Sequence, residues 1–413
     1  MLNSERVQTP DTPYYVRALA LGIPAILLGL QLSGWIGFAP MIRDGHADFR
    51  NLYTAGYMVR SGHRHELYNY QAQKIYQDAV VSKEQIAIPF IRPAYQALLF
   101  APLSLLPFRW AYLAFLAVNL GAVAFCFRLL RPYMRNLAHA WLGLPPAMFL
   151  FIPIAAALMQ GQDSILLLTL LAGALVLLDR GQDLMAGAGV GLGLFKFQLV
   201  IPIALLFLAW RRWRFSLGFA LSASVLWALS VWIVGPAQFA IYLHSMLNIG
   251  ISSSLSSGLP LPVGLMANLH GLFFGLFGGR ATALPTVAIS AVILAAAGLN
   301  RPHTTIEALG IAITISTVVS YYLFIHDMSV LLIPIVLTLD RFLESEATKD
   351  SAGRIRFRAA AAVFVAPVCM SFAGDYIYLV AIPLLFFALV TTLPSRTSAD
   401  ADVSEGSTVQ LKN

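Results

Sequence analysis

Long apolar segments alternate with short polar stretches along almost all of the 413-residue chain. A helix needs about 20 predominantly apolar residues to cross a bilayer. Such segments lie at 17–39, 108–130, 138–158, 163–179, 215–234, 282–299, 306–325, 328–340, 359–374 and 376–394. The pattern therefore predicts an all-α polytopic membrane bundle of about 11–13 transmembrane helices.

One further apolar run, at 184–210, has a different pattern. It reads LMAGAGVGLGLFKFQLVIPIALLFLAW and is interrupted by Lys196, with Pro202 after it. The glycines permit close helix contact, whereas the lysine and proline disfavour one uninterrupted span. We expect two shorter helices that form a hairpin.

The basic residues predict the orientation of the bundle, because Lys and Arg are enriched in cytoplasmic loops. With these spans every cluster falls on one side: Arg6/Arg17, Arg128/Arg131/Arg135, Arg180, Arg211/Arg212/Arg214, Arg301, Arg341 and Lys349/Arg354/Arg356/Arg358. Both termini are then cytoplasmic. We expect one membrane domain over 1–394, with extracytoplasmic loops at 40–107 and 235–281, and a disordered cytoplasmic tail at 395–413.

Composition excludes a soluble protein of this size. The chain is 58% hydrophobic and 11% charged, whereas a soluble domain carries about 25% charged residues. The net charge of +7 comes from dispersed clusters without interleaved aromatics, so it does not indicate nucleic-acid binding. The two cysteines, Cys126 and Cys369, both lie in apolar runs and do not indicate a disulfide framework.

Three carboxylates, Asp48, Asp163 and Asp327, lie next to the predicted outer ends of three different spans. A carboxylate close to the hydrocarbon is costly and usually faces the protein interior. We therefore expect a polar cavity at the outer face. The alternative is that each residue simply ends its helix at the membrane interface.

Lys196 is one of five lysines and the one inside an apolar run. In such a place it must snorkel to the interface, lose its charge or meet an anion. A lipid phosphate is one such anion. The glycines before it do not form a phosphate-binding loop, because the G-x-x-x-x-G-K-[ST] spacing is absent.

The first outer loop contains HADFRNLYTAG and SGHRHELY, and then an apolar stretch broken by Pro93, Pro102 and Pro107. The histidine spacing does not suit zinc, and no H-E-x-x-H motif occurs, so we expect no metal site. The proline-broken stretch predicts short helices that dip into the outer leaflet.

Three blocks carry a resemblance to a known family: ADFRNLYTAGYMVRSGHRHELYN, RPAYQALLFAPLSLLPFRWAYLAF, and the segment from GQDSILLL to LAWRRWR. Together they resemble glycosyltransferase family 87, over roughly residues 15–340. The resemblance implies a GT-C fold, an extracytoplasmic active site in a bacterial inner membrane, and a polyprenyl-phosphate-linked sugar as donor. It implies that Asp48 is the catalytic carboxylate.

Transfer from a lipid phosphate needs a base for the acceptor hydroxyl and cations for the departing phosphate. We expect Asp48 to be the base. The candidates for the donor-phosphate site are Lys196, Arg50, Arg92 and His326, and those for the cavity around the substrate are Tyr53, Gln162, Asp163 and Asp327. One carboxylate suffices for an inverting displacement, because the phosphate leaves without an acid. No cofactor is expected.

The expected activity is transfer of a hexose, first of all mannose, or of a pentose to an extracytoplasmic glycan or glycolipid. A secondary transporter or flippase for a lipid-linked or anionic substrate is the rival, since broken helices and buried charges also mark transporters. Against it, the halves of the chain show no internal repeat, and the charges gather at one face.

Overall fold

A computed structural model describes residues 14–140, 145–247, 262–278, 282–344, 350–370 and 374–392. The described part is helical and contains no strand. Its helices are α1 (Tyr14–Asp44), α2 (Phe49–Arg60), α3 (Tyr70–Val80), α4 (Ala94–Phe100), α5 (Phe108–Leu130), α6 (Arg135–Ala140), α7 (Ile152–Gln160), α8 (Ser164–Asp179), α9 (Asp183–Leu192), α10 (Phe197–Ala209), α11 (Trp213–Val234), α12 (Pro236–Leu247), α13 (Leu269–Phe277), α14 (Ala283–Leu299), α15 (Thr305–Val319), α16 (Leu332–Glu344), α17 (Ser351–Met370) and α18 (Ala381–Thr392). The predicted all-α polytopic bundle is confirmed.

Contacts between helix termini define one end of the bundle, which we call the basic end. Tyr133 Oη donates to Asp179 Oδ2 at 2.7 Å, beside Arg180. Arg341 Nη1 lies 3.7 Å from Glu307 Oε1. Asn136 Nδ2, in α6, donates to Asp340 Oδ2 at 3.0 Å, so the arginine-containing turns after α5, α8 and α16 lie at one end. The opposite end, which we call the loop end, carries α2, α3, α4 and α13.

Four helical runs are long and apolar enough to cross a membrane: Leu21–Arg60, Phe108–Tyr133, Asp183–Ala209 and Trp213–Val234. The third of them folds back on itself. A straight helix of 27 residues would be about 40 Å long, yet Asp183 Oδ2 lies 3.6 Å from Arg212 Nη1. The reversal occurs at a 3-10 turn, Gly193–Lys196, and it forms the hairpin that the sequence predicted.

Glycines let α9 pack against α11 with almost no gap. A Cβ atom on Gly187 would lie 1.9 Å from the carbonyl oxygen of Phe215, and one on Gly218 would lie 1.9 Å from that of Leu184. Such approach requires residues without a side chain at the contact. It fixes the height of the hairpin, and hence the height of the turn that carries Lys196.

Prolines divide the stretch between α3 and α5 as expected. Pro93, Pro102 and Pro107 each immediately precede a helical segment. Proline suits such starts because it has no N–H to leave unpaired. This arrangement brings Arg92, just before α4, and Gln96, in α4, to the start of α8 at the loop end.

One predicted span was wrong. The single span expected at 138–158 is broken, because a 3-10 segment over Pro145–Leu150 lies between α6 and α7. Its prolines remove backbone donors that one continuous helix would need. α1 continues to Asp44, so the first residues of the predicted 40–107 loop are helical. Parts of the 235–281 loop and the whole 395–413 tail lie outside the described residues.

Candidate functional site

Asp163 and Arg92 form a buried bidentate ion pair at the loop end. Arg92 Nε lies 2.6 Å from Asp163 Oδ2, and Arg92 Nη2 lies 2.9 Å from Oδ1. Asp163 immediately precedes α8, but its side chain does not cap that helix. Gln96, one turn after Arg92, also donates to Oδ2. The carboxylate is thus held in place by α4 and the residues just before it, and it is 0% exposed.

Lys196 lies at the tip of the α9–α10 hairpin and joins two carboxylates. Its Nζ atom lies 3.1 Å from Asp163 Oδ1 and 2.6 Å from Asp327 Oδ1. The side chain is 3% exposed, so it does not snorkel. The sequence left three alternatives open: snorkelling, loss of charge, or pairing with an anion. The structure shows the third, and the anions are two aspartates of the chain itself. Such a buried cation is tolerable only with partners of this kind.

Asp327 lies in a 3-10 segment, Ile325–Leu331, that leads into α16. Its Oδ1 atom accepts a hydrogen bond of 2.9 Å from Ser164 Oγ, at the start of α8. His326 Nε2 lies 3.6 Å from the same oxygen. The segment therefore adds a second carboxylate and an imidazole to the Asp163–Lys196 pair.

Gln162 connects this buried set to Asp48. Its Oε1 atom accepts from Arg92 Nη2 at 2.8 Å and from Lys196 Nζ at 3.4 Å. Its Nε2 atom donates to Asp48 Oδ2 at 2.6 Å. Asp48 precedes α2, and like Asp163 its side chain makes no capping bond to its own helix. We call the connected residues the loop-end network: Asp48, Arg92, Gln96, Gln162, Asp163, Ser164, Lys196, His326 and Asp327.

Arg50 lies apart from this network. Its guanidinium donates to Gln77 Oε1 at 2.9 Å, to Ser82 Oγ at 2.7 Å and to the carbonyl of Gly45 at 3.3 Å. The side chain is 1% exposed. It ties the start of α2 to the end of α3, and so fixes the backbone on both sides of Asp48.

Tyr53 also lies apart from the network. Its hydroxyl donates to the carbonyl of Leu106 at 2.9 Å, and its ring packs edge-on against Phe108. It borders a separate surface cavity of about 610 Å³ beside Arg43 and Arg109. The structure thus does not bring the Tyr53 hydroxyl to Asp48.

Three polar residues of the site were not singled out from the sequence. Gln96 and Ser164 bind the two buried carboxylates, and Gln160 Oε1 accepts the Asp48 backbone N–H at 3.1 Å. Ser164 follows Asp163 directly, and Gln96 lies one helical turn after Arg92. Their spacing from these two residues could therefore have identified both from the sequence. Gln160 had none, because α7 ends in an αL glycine whose turn redirects the chain.

The network holds three carboxylates with unequal surroundings. Asp163 and Asp327 are 0% and 1% exposed and are paired with cations. Asp48 is half-buried, and the partner of its carboxylate described here is the neutral amide of Gln162. Asp48 is therefore the least buried of the three carboxylates.

Comparison with known proteins gives one finding. The model of glycosyltransferase family 87 matches residues 90–325, which is more than half of the 413 residues. The match includes Arg92, Gln162, Asp163 and Lys196, while Asp48 and Asp327 lie outside its two ends. No curated protein and no solved structure matches the chain at a significant level.

Proposed function

The chain belongs to glycosyltransferase family 87, and from that premise we propose that it moves a sugar from a polyprenyl-phosphate donor, with Asp48 as the general base. The sugar is a hexose, first of all mannose, or a pentose. The acceptor is a glycan or glycolipid on the extracytoplasmic face of a bacterial inner membrane.

The observation that carries this proposal is the contrast between Asp48 and the other two carboxylates. A base must be able to take a proton, and a carboxylate bound by buried cations is a poor acceptor. Asp163 and Asp327 have such cations. Asp48 is bound at Oδ2 by an amide, which leaves Oδ1 for an acceptor hydroxyl.

Cations around the same point support a phosphate leaving group. Arg92 uses Nε and Nη2 for the bonds described above, and its Nη1 can donate to a phosphate oxygen. His326, 6% exposed, offers an imidazole N–H close by. Donors placed where negative charge develops lower the barrier to departure.

The Lys196 ammonium is less accessible to the donor phosphate than the Arg92 guanidinium is. Both of its carboxylate partners lie within 3.1 Å, so a phosphate reaches the ammonium only by displacing one of them. Arg50, bound within the first loop, would reach a phosphate only if that loop rearranged.

The lipid part of the donor needs an apolar path to the network. α4 offers one, because Arg92 and Gln96 contact Asp163 while Leu98 and Leu99 are 41% and 62% exposed. A prenyl chain in the bilayer can lie along these leucines with its phosphate near Arg92. This arrangement supports a membrane lipid as donor over a soluble sugar nucleotide.

The direct test uses purified protein in liposomes, because membranes also contain enzymes that interconvert donors. Radiolabelled polyprenyl-phosphate mannose, glucose and pentose are offered with glycans and glycolipids extracted from the source organism. We expect label in the acceptor fraction from at least one lipid-linked donor and none from sugar nucleotides. Transfer from a nucleotide sugar alone, or movement of intact donor across the bilayer without transfer, contradicts the proposal.

A further inference from the structure

Gln162 is held in one orientation by two cations. A side-chain amide has an oxygen that accepts hydrogen bonds and a nitrogen that donates them. The amide can rotate by half a turn and exchange these two atoms, unless its hydrogen-bond partners fix one orientation. Arg92 Nη2 and Lys196 Nζ lie 2.8 Å and 3.4 Å from one amide atom. Both are pure donors, so that atom must be the oxygen. The nitrogen must then face Asp48.

The result is a relay of fixed polarity from Arg92 and Lys196, through the amide, to the carboxylate of Asp48. Cations bound to the amide oxygen polarise its N–H, and hydrogen bonds in such a chain strengthen one another. The bond to Asp48 Oδ2 is 2.6 Å. Gln162 is 4% exposed, so water competes little for these positions.

Asp48 itself has few other constraints on its side chain. It makes no cap bond to α2, and Gln160 contacts its backbone N–H and not its carboxylate. The rotamer of the carboxylate, and thus the direction of Oδ1, is set largely by Gln162. A base must lie within hydrogen-bond reach of the proton that it takes.

We propose that Gln162 is a positioning residue: oriented by Arg92 and Lys196, it aims the Asp48 carboxylate at the acceptor and does not bind the sugar. This proposal rests on the proposed role of Asp48 as base. It assigns to the buried ion pairs a function beyond stability, since they hold the amide nitrogen toward Asp48 even when that carboxyl is protonated and could itself donate to an amide oxygen.

Two variants test it. Gln162→Glu has the same shape and retains an oxygen for Arg92 and Lys196, but it places a second carboxylate against Asp48. Two carboxylates at this distance share one proton, so the base is free only at higher pH. We expect the acid limb of the kcat–pH profile to move up by about one unit or more. Gln162→Met removes the donor and should lower kcat about tenfold or more, with donor and acceptor KM changed less than about threefold.

A matched control is available two residues earlier. Gln160→Glu adds the same charge near Asp48, but its oxygen faces the backbone N–H. We expect its acid limb to move less than that of Gln162→Glu. Equal shifts for the two glutamates would show a general charge effect and overturn the proposal, as would a Gln162→Met variant that raises KM while kcat stays unchanged.

Asp48→Asn, measured in parallel, separates the two proposals. If it is inactive while the Gln162 variants leave kcat and the pH profile unchanged, the positioning role fails and the base assignment stands. If Asp48→Asn is active, the base assignment itself fails. Thermal unfolding of each variant in detergent confirms that the kinetic comparison is made on folded protein.

Discussion

Lys196 Nζ lies 2.6 Å from Asp327 Oδ1, and this contact joins the tip of a re-entering hairpin to the segment that starts α16. Three parts of the chain that are far apart in sequence meet there, since Asp163 at the start of α8 contacts the same ammonium. The ammonium therefore links these three parts of the chain, and through Gln162 it belongs to the same hydrogen-bonded network as Asp48.

Removing the lysine should expose this dual role. Lys196→Met leaves Asp327 buried without its ammonium, and breaking a buried pair in this way costs about 3–5 kcal/mol. We expect a clearly lower free energy of unfolding together with a large loss of transfer. The Lys196→Met, Asp327→Asn double variant should recover much of the stability but not the activity. Equal stability of the single and double variants would contradict this coupling.

Lys196→Arg separates geometry from charge. Arginine keeps the positive charge, but its planar fork on a longer stem does not suit a point between two carboxylates. We expect partial recovery of stability and activity relative to Lys196→Met. An apparent donor KM that rises in both variants at saturating acceptor would support a direct phosphate contact. A donor KM unchanged in both would show that the lysine serves the carboxylates alone.

The hydrogen bonds of Arg50 clamp the start of α2 to the end of α3, and we call them the Arg50 clamp. This clamp should be sensitive to a conservative substitution. Arg50 donates to Gln77 through Nε and to both Ser82 Oγ and the Gly45 carbonyl through Nη1, and a lysine ammonium cannot reproduce this planar arrangement. Arg50→Lys should lose about 2 kcal/mol or more of stability and reduce transfer, because the segment around Asp48 loosens. Arg60→Lys is the control, since Arg60 is exposed, donates hydrogen bonds to Ser104 and lies over the Tyr57 ring, away from Asp48. Similar losses in the two variants would contradict the clamp.

Arg50 Nη2 also lies 3.4 Å from Asp78 Oδ1, and this ion pair gives a pH dependence. The hydrogen bond from Lys74, and with it the nearby Arg50, holds the pKa of Asp78 below its usual range. A carboxyl with a depressed pKa stabilises the fold above its ordinary value of about 4 and loses that contribution as pH falls further. The difference in melting temperature between wild type and Asp78→Asn should thus be present at pH 6 and close toward pH 3. A constant difference would exclude this linkage.

Topology is testable with single cysteines in a background lacking Cys126 and Cys369. His63 lies in the loop that carries Asp48, and Arg180 lies in the turn between α8 and α9 at the basic end. In intact cells His63→Cys should react with an impermeant thiol reagent, and Arg180→Cys should react only after permeabilisation. The reverse pattern would place Asp48 in the cytoplasm.

Much of the fold could be predicted from the sequence, because the apolar segments are long and charged residues mark their ends. The hairpin followed from Lys196 and Pro202, and the short helices before α5 followed from three prolines. The break before α7 was missed because its residues are as apolar as those of a span. Hydropathy measures the preference for lipid, and it does not detect the loss of backbone donors at Pro145 and Pro146.

The sequence predicted which carboxylates belong to the site. It did not predict the direction in which every neighbouring side chain points. Asp48, Asp163 and Asp327 did converge, because each ends a span at the same face. Arg50 and Tyr53 did not join them, although both are close to Asp48 in sequence. On an α-helix, residues two or five positions apart point to different faces. The helical turn therefore aims Arg50 at α3 and Tyr53 at α5, while Asp48 faces Gln162.

The most direct test of the account is the turnover of Asp48→Asn in liposomes with a lipid-linked donor and saturating acceptor. Asparagine keeps the shape of the side chain but cannot take the acceptor proton. We predict transfer at least about 10²-fold below wild type, with unchanged membrane insertion and melting temperature. Near-normal turnover by a folded, inserted Asp48→Asn protein would contradict the assignment of this carboxylate as the base.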